Sequence, residues 1–296
     1  MENPNPLINI GDLAKPANTL IEKISDAIGG IFKPAQIRRV AEAEAEAEKI
    51  RAIAEIEITD LQRRAMARFF AEEAIKQNNI ESITRQALPL ITEEARADEV
   101  DNDWIAHFFD KCRLISDVDM QALWAKVLSG QANSPGTYSK RTIEILSNLE
   151  RSDALLFSKV CSFAVITIAG HYSPTRYPLI YDIDQSLYRD QAIDFSKLAH
   201  LESLGLIHFN TSGTYLLKGM SQMHPFSYFE THLVIEFKNA MDNTLDSGKI
   251  IFTQAGHELA RVCESQPING FVDYLTDKWS SFGCKVKPIK EIGISE

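Results

Sequence analysis

A mainly α-helical chain with an α+β C-terminal part is the fold class that this sequence predicts. Three observations carry it. An Ala/Glu alternation from Ala41 to Glu48 sits inside a run of strong helix formers that opens at Pro34. From about residue 80 to residue 164, apolar residues recur at three- and four-residue spacing, the period of a helix buried on one face. Beyond residue 165 that period gives way to short β-branched and aromatic runs bounded by Asn, Ser and Gly, the signature of strands.

Residues 1–33 read as an arm followed by a short amphipathic helix from Ala17 to Phe32. Leu20, Ile24, Ile28 and Phe32 share one side, and Glu22, Lys23, Ser25 and Asp26 lie opposite. Such a stripe either folds back onto the core or docks on a partner or a membrane surface, so these four apolar residues are candidate docking residues. The polar face is not cationic, and anionic lipid would add little attraction. Gly29-Gly30 then allows the chain to hinge.

Residues 34–79 predict one long projecting helix. Alternation would ordinarily argue for a strand, but Ala and Glu are among the best helix formers and are depleted from strands. Pro34 suits a first helical turn, where its missing N–H costs nothing. About 45 residues at 1.5 Å each extend roughly 65 Å, too far to lie on one small domain. The large apolar residues, including Leu61, Met66, Phe69 and Phe70, crowd toward the C-terminal end, which predicts that this end packs into a core. The Ala-rich end is either a solvated spacer or a surface for close helix approach. Its candidate self-association residues are Ala43, Ala47, Ile50 and Ala54.

Residues 80–165 predict a helical domain. Asp103 is a candidate cap for a helix bearing Trp104, Ile105, Phe108 and Phe109, and Ser116 or Asp117 opens another with Met120, Leu123, Trp124 and Val127. Both tryptophans read as core anchors. Residues 166–296 predict an α+β domain. In it Asp194 caps a helix that ends at Gly205, and a hairpin is expected between Leu206–Phe209 and Thr214–Leu217. Further strands are expected at His232–Phe237 and Lys249–Phe252, and Thr253 opens the next helix. The order helix, Leu-Gly-Leu-Ile, hairpin, Thr-x-x-Gly-x-x-Leu is similar to a winged-helix module. Its recognition helix would offer only Lys197 and His200 beside Glu202, with no Arg to read guanine.

Composition narrows the function. The net charge is −10, and neither half of the 296 residues carries a basic excess, so phosphate binding has little support. Cys112, Cys161, Cys263 and Cys284 are scattered, Met1-Glu-Asn-Pro-Asn-Pro has no basic signal region, and no 18-residue apolar run occurs. A cytoplasmic protein with reduced thiols is expected, with peripheral contact at the inner membrane as a variant.

Chemistry is absent from the recognisable motifs. His257-Glu258-Leu-Ala-Arg261 begins like a zinc-protease helix, but Arg stands where the second His must be. Asp182-Ile-Asp184 reads as a turn, and His171–Tyr177 as a surface loop. No phosphate-binding glycine loop or nucleophile elbow is present, and neither cofactor nor metal is implied.

Leu123-Trp-Ala-Lys-Val-Leu128, Asn133-Ser-Pro-Gly136 and Leu146-Ser-Asn-Leu149 resemble an uncharacterised bacterial family, domain of unknown function 2806. Ile10–Pro16, Asp60–Arg64 and Thr253–Gly256 resemble the same family. The Trp-Ala-x-x-Leu helix is also similar to the abortive-infection alpha domain of phage-defence loci. The long polar helix suggests action by protein association, non-enzymatic, with itself and another protein as partners; the resemblance implies that this is as a sensor or abortive-infection component of anti-phage defence. A winged-helix transcription regulator, a membrane-surface effector and a hydrolase with a dispersed site are the alternatives.

Overall fold

The computed structural model describes residues 14–29, 59–167 and 174–288. Two compact units divide the chain between Ser147 and Asn148.

The N-terminal unit contains α1 (Lys15–Ile28), α2 (Asp60–Ala87), α3 (Asn102–Cys112), α4 (Val118–Asn133) and α5 (Lys140–Ser147). α1 buries Ala17, Leu20, Ile21 and Ile24, chiefly against α3 and the 3-10 turn Ala97–Glu99. Its Lys23 ammonium donates to the Val100 carbonyl.

The described part of the helix expected from Pro34 starts at Asp60, after Thr59, whose backbone is extended (φ −62°, ψ 155°); residues 34–58 lie outside the described residues. Thr59 and Gln62 form a reciprocal cap: the Thr59 hydroxyl accepts from the Gln62 N–H, and the Gln62 carbonyl oxygen accepts from the Thr59 N–H at 2.8 Å. α2 then continues to Ala87 because Asn79, Ile83, Thr84 and Ala87 are buried.

α3 is capped by Asp101, two residues earlier than the Asp103 expected from sequence, and α4 by Asp117; each carboxylate accepts a backbone N–H at 2.8–2.9 Å. Between these helices lies an aromatic cluster. Phe108 stacks on Trp104 at 5.1 Å and meets Trp124 edge-on at 5.0 Å. Trp104 and Trp124 are both buried core residues. The Trp104 indole N–H donates to the Tyr138 carbonyl at 2.7 Å, whereas that of Trp124 has no acceptor among the described residues.

The C-terminal unit begins with α6 (Arg151–Cys161). An antiparallel five-stranded sheet follows, in the order β2 (Thr175–Pro178), β1 (Ala164–Thr167), β5 (Met223–Tyr228), β6 (Thr231–Glu236) and β9 (Lys285–Pro288). α10 (Phe271–Ser281) contributes Phe271 and Trp279 to a core with Phe163, Tyr188, Phe226 and Tyr228. Buried tyrosine hydroxyls are satisfied by backbone carbonyls: Tyr188 donates to Leu179 and Tyr228 to Ser162, both at 2.8 Å.

The unit also has α7 (Ser186–Arg189), α8 (Phe195–Ser203) and α9 (Gln254–Leu259). The expected hairpin does not form. β3 (Ile207–Phe209) pairs with β8 (Ile250–Phe252), and β4 (Tyr215–Met220) pairs with β7 (Asn243–Gly248). Thr253 ties the returning chain to the end of α8 by donating to the Gly205 carbonyl at 2.6 Å. A β-carbon on Gly256 would fall 1.9 Å from the Leu206 carbonyl oxygen, so only glycine allows α9 to approach β3 this closely.

Two stability changes follow. Trp124→Ala should lose about 3–5 kcal/mol, read as a lower midpoint in urea, because a buried aromatic leaves a cavity; Trp124→Phe should lose less. Gly256→Ala should lower the melting temperature of the full chain, since the backbone must shift to admit the methyl group. A wild-type midpoint for either Ala variant would contradict the packing described.

Candidate functional site

α2 is anchored at its C-terminal end by buried amides. Asn79 and Gln121 of α4 are buried and exchange a bond at 3.2 Å. Asn79 also donates to the Arg113 carbonyl at 2.9 Å and Gln121 to the Ile115 carbonyl at 2.8 Å. Ser82 donates to the Gln121 carbonyl oxygen at 2.7 Å. These amides satisfy two turn carbonyls between α3 and α4, and they fix the rotation of α2.

N-terminal to Asn79 the helix is exposed along its length, apart from half-buried Glu73 and Lys76. Leu61 is 68% exposed, Phe69 58% and Ile75 56%, with Met66 and Phe70 near 37–38%. This reverses the expectation that the apolar end of the long helix packs into a core. At 100° per residue Leu61, Met66, Phe69, Phe70 and Ile75 point around most of the circumference, so no single core face could receive them. Large apolar side chains gathered on one projecting element mark a contact surface. Ion pairs lie among them: Arg68 with Glu72 at 3.4 Å, Lys76 with Glu73 at 2.6 Å, and Arg64 with Asp60.

The residues singled out from sequence fall elsewhere. Ala43, Ala47, Ile50, Ala54 and Phe32 lie outside the described residues. Leu20 and Ile24 are fully buried and Ile28 is half-buried, so the described part of the α1 stripe packs within its own unit. Burial of Leu20 against α3 satisfies the same apolar face that made docking plausible.

Two clefts are lined by polar groups already engaged in local contacts. One of about 350 Å³ is bordered by Lys238, Asn243, Asp246 and Cys284. Asn243 spends its amide on the Met220 and Asn239 carbonyls, and Asp246 accepts the Gly248 N–H at 2.7 Å. Burial raises the Cys284 thiol above its ordinary range, with Lys238 opposing, which makes it a poor nucleophile. A second cleft of about 380 Å³ includes Asp101 and Gln131, which cap α3 and hold the Tyr138 N–H.

The wing-like region is similarly committed. Lys197 donates to the Ala192 carbonyl at 2.7 Å, His200 meets the Asp153 carboxylate at 2.7 Å, and Glu202 accepts the Phe209 N–H at 2.8 Å. Asp182 accepts the Asp184 N–H at 3.0 Å in the turn ahead of α7, and Glu258 accepts from Gln254 at 2.9 Å. Among the described residues no group of three or more His, Cys, Asp or Glu is placed to hold a metal ion. Nor is any described helix long and apolar enough to cross a membrane.

Residues 63–276 match the family model described as Protein of unknown function (DUF2806). No curated protein and no solved structure matches the chain.

Two imidazoles, buried His224 and half-buried His257, make stability depend on pH. His224 Nε2 lies 2.8 Å from the Thr167 hydroxyl, which also donates to the Pro225 carbonyl at 2.7 Å. Burial lowers the affinity of His224 for a second proton, and burial with Arg261 and Arg176 does the same for His257. The unfolded imidazoles, near 6.5, therefore take up protons first. Stability should be full above that value and should fall as pH drops through it, by up to about 1.4 kcal/mol per unit per group. Urea midpoints from pH 8 to pH 5 should show the fall, and His224→Gln should flatten part of it. An unchanged slope in that variant would contradict the assignment.

Proposed function

We propose that the chain, which belongs to the DUF2806 family, acts by protein association through the exposed N-terminal half of α2. In this reading it is a non-enzymatic sensor or abortive-infection component of anti-phage defence. The observation that carries association is the display of Leu61, Phe69 and Ile75 on a helix whose other end is clamped by buried amides. A helix presenting apolar anchors to a partner groove or helix is a common recognition mode, and a rigid anchor limits the entropy lost on binding. The defence setting follows from the sequence resemblance to the abortive-infection alpha domain.

The transcription-regulator reading draws support from one arrangement. α8 is followed by β3, which pairs with β8 directly before α9, as in a winged helix whose wing has been replaced by residues 210–249. Against DNA as its partner stand the acidic net charge and the engagement of Lys197 and His200 in internal contacts. A protein-binding wing fits these observations better.

Burying one Phe contributes about 1.5–3 kcal/mol, so Phe69→Asp should weaken association roughly ten-fold or more. The melting temperature should stay near wild type because the side chain is exposed. Cells carrying the Phe69→Asp gene should lose protection against phage, and proteins retained on the immobilised wild-type chain should be lost. Unchanged protection and unchanged retention would overturn the reading. Submicromolar binding of duplex DNA at about 150 mM salt would favour the regulator instead.

A further inference from the structure

We infer that Cys161 and Cys263 form a redox-active dithiol, a modification site at which a peroxide converts two thiols into one intrachain disulfide. The site lies in the C-terminal unit and stands apart from the reading of α2.

Cys161 is the last residue of α6, and Cys263 follows the turn that ends α9 at Leu259. Although far apart in the chain, they are brought together by hydrogen bonds on either side. The Ser158 hydroxyl donates to the Glu264 carbonyl, and the Ser162 hydroxyl accepts the Gln266 N–H at 3.2 Å. These ties lay the backbone after Cys263 along the last turn of α6. Behind it, the Cys263 N–H donates to the Leu259 carbonyl at 3.1 Å. The two cysteines sit within this frame, and their thiols meet as side-chain hydrogen-bond partners. Both are free thiols in the structure. A backbone tied on both sides keeps the sulfurs facing, which is the approach that a disulfide requires.

The two sulfurs differ in access, Cys161 being buried and Cys263 half-buried. Burial holds the Cys161 thiol well above its ordinary range; Cys263 adds to the effect, and the Arg176 guanidinium opposes it. A buried, protonated thiol reacts slowly with an oxidant from solution, so the peroxide enters at Cys263. The Cys263 sulfur attacks one peroxide oxygen, the O–O bond breaks, and Cys263 sulfenic acid and one water result. The Cys161 sulfur then attacks the Cys263 sulfur. An S–S bond forms, the S–O bond breaks, and the departing hydroxide leaves with the Cys161 proton as a second water. Two thiols have then given two electrons and two protons to one peroxide. Burial of Cys161 makes this second step the slow one. Exchange with an excess dithiol returns both thiols.

Treating the reduced full chain with excess hydrogen peroxide, alkylating it under denaturing conditions and mapping its peptides by mass spectrometry tests this. Wild type should yield two peptides joined through Cys161 and Cys263, lighter by about 2 Da than the separate thiol peptides. A dithiol reductant should release them. Cys161→Ala should instead hold a sulfenic acid at Cys263 that dimedone captures, and Cys263→Ala should leave Cys161 an alkylatable thiol. Cys284→Ser should form the bridge as wild type does. Circular dichroism should show each variant folded, and the joined wild-type peptides report the bridge whether or not a variant folds. Cys263 driven to sulfinic acid with no joined peptides, or a bridge between any other two cysteines, would overturn the pair. Dimedone captured at Cys161 in Cys263→Ala would overturn entry at Cys263.

Discussion

The buried amide clamp between Asn79 and Gln121 is the contact on which the exposed helix depends. Both side chains are nearly inaccessible to water, and each has satisfied partners on the turn that joins α3 to α4. Leaving such a group without a partner costs about 1–3 kcal/mol, so the network tolerates one rotation and one register of α2. Ile83, Thr84 and Ala87 then pack on the side that this rotation presents. The clamp sits near one end, and the residues from Asp60 to Asn78 are mostly exposed. Exposure of Phe69 is thus a consequence of where the polar anchor lies.

The same logic of satisfied polar groups governs the C-terminal unit. Tyr188 and Tyr228 bury their rings in the aromatic core while their hydroxyls bond carbonyls at its border. Trp279 donates to the Tyr181 hydroxyl at 3.0 Å, which in turn donates to Asp246, linking α10 to β7. Thr253 and Gly256 set the approach of α9 to the start of β3 through one hydroxyl and one absent methyl group. Charged residues that would otherwise be free to meet a nucleic acid are spent on these local contacts, Lys197, His200 and Glu202 among them.

Helices in both units were legible because their signals are local. Asp117 and Asp194 cap the helices that the spacing of Met120, Trp124 and Leu198 predicts. Several strands were not. β5 contains Pro225, which ordinarily argues against a central strand; here it lies one residue beyond the last β1–β5 pair, Thr167 with Phe226. β7 reads Asn-Thr-Leu-Asp-Ser-Gly, a turn-like composition that becomes a strand through pairing with β4. The expected hairpin failed for a related reason, since a short turn at Asn210–Gly213 does not specify which strand β3 will meet.

The sequence by itself determined the helical first half, the α+β second half, the burial of Trp104 and Trp124, and the lack of a recognisable catalytic motif. Each of these rests on periodicity, capping or residue type within a few positions. Only the tertiary structure decided that β3 pairs with β8 across forty intervening residues, that the α1 stripe is consumed by its own unit, and that Phe69 faces water. Those outcomes depend on which apolar faces find partners far along the chain. A run of apolar residues on a helix states only that burial would be favourable; whether a surface arrives to bury it is settled by the packing of everything else.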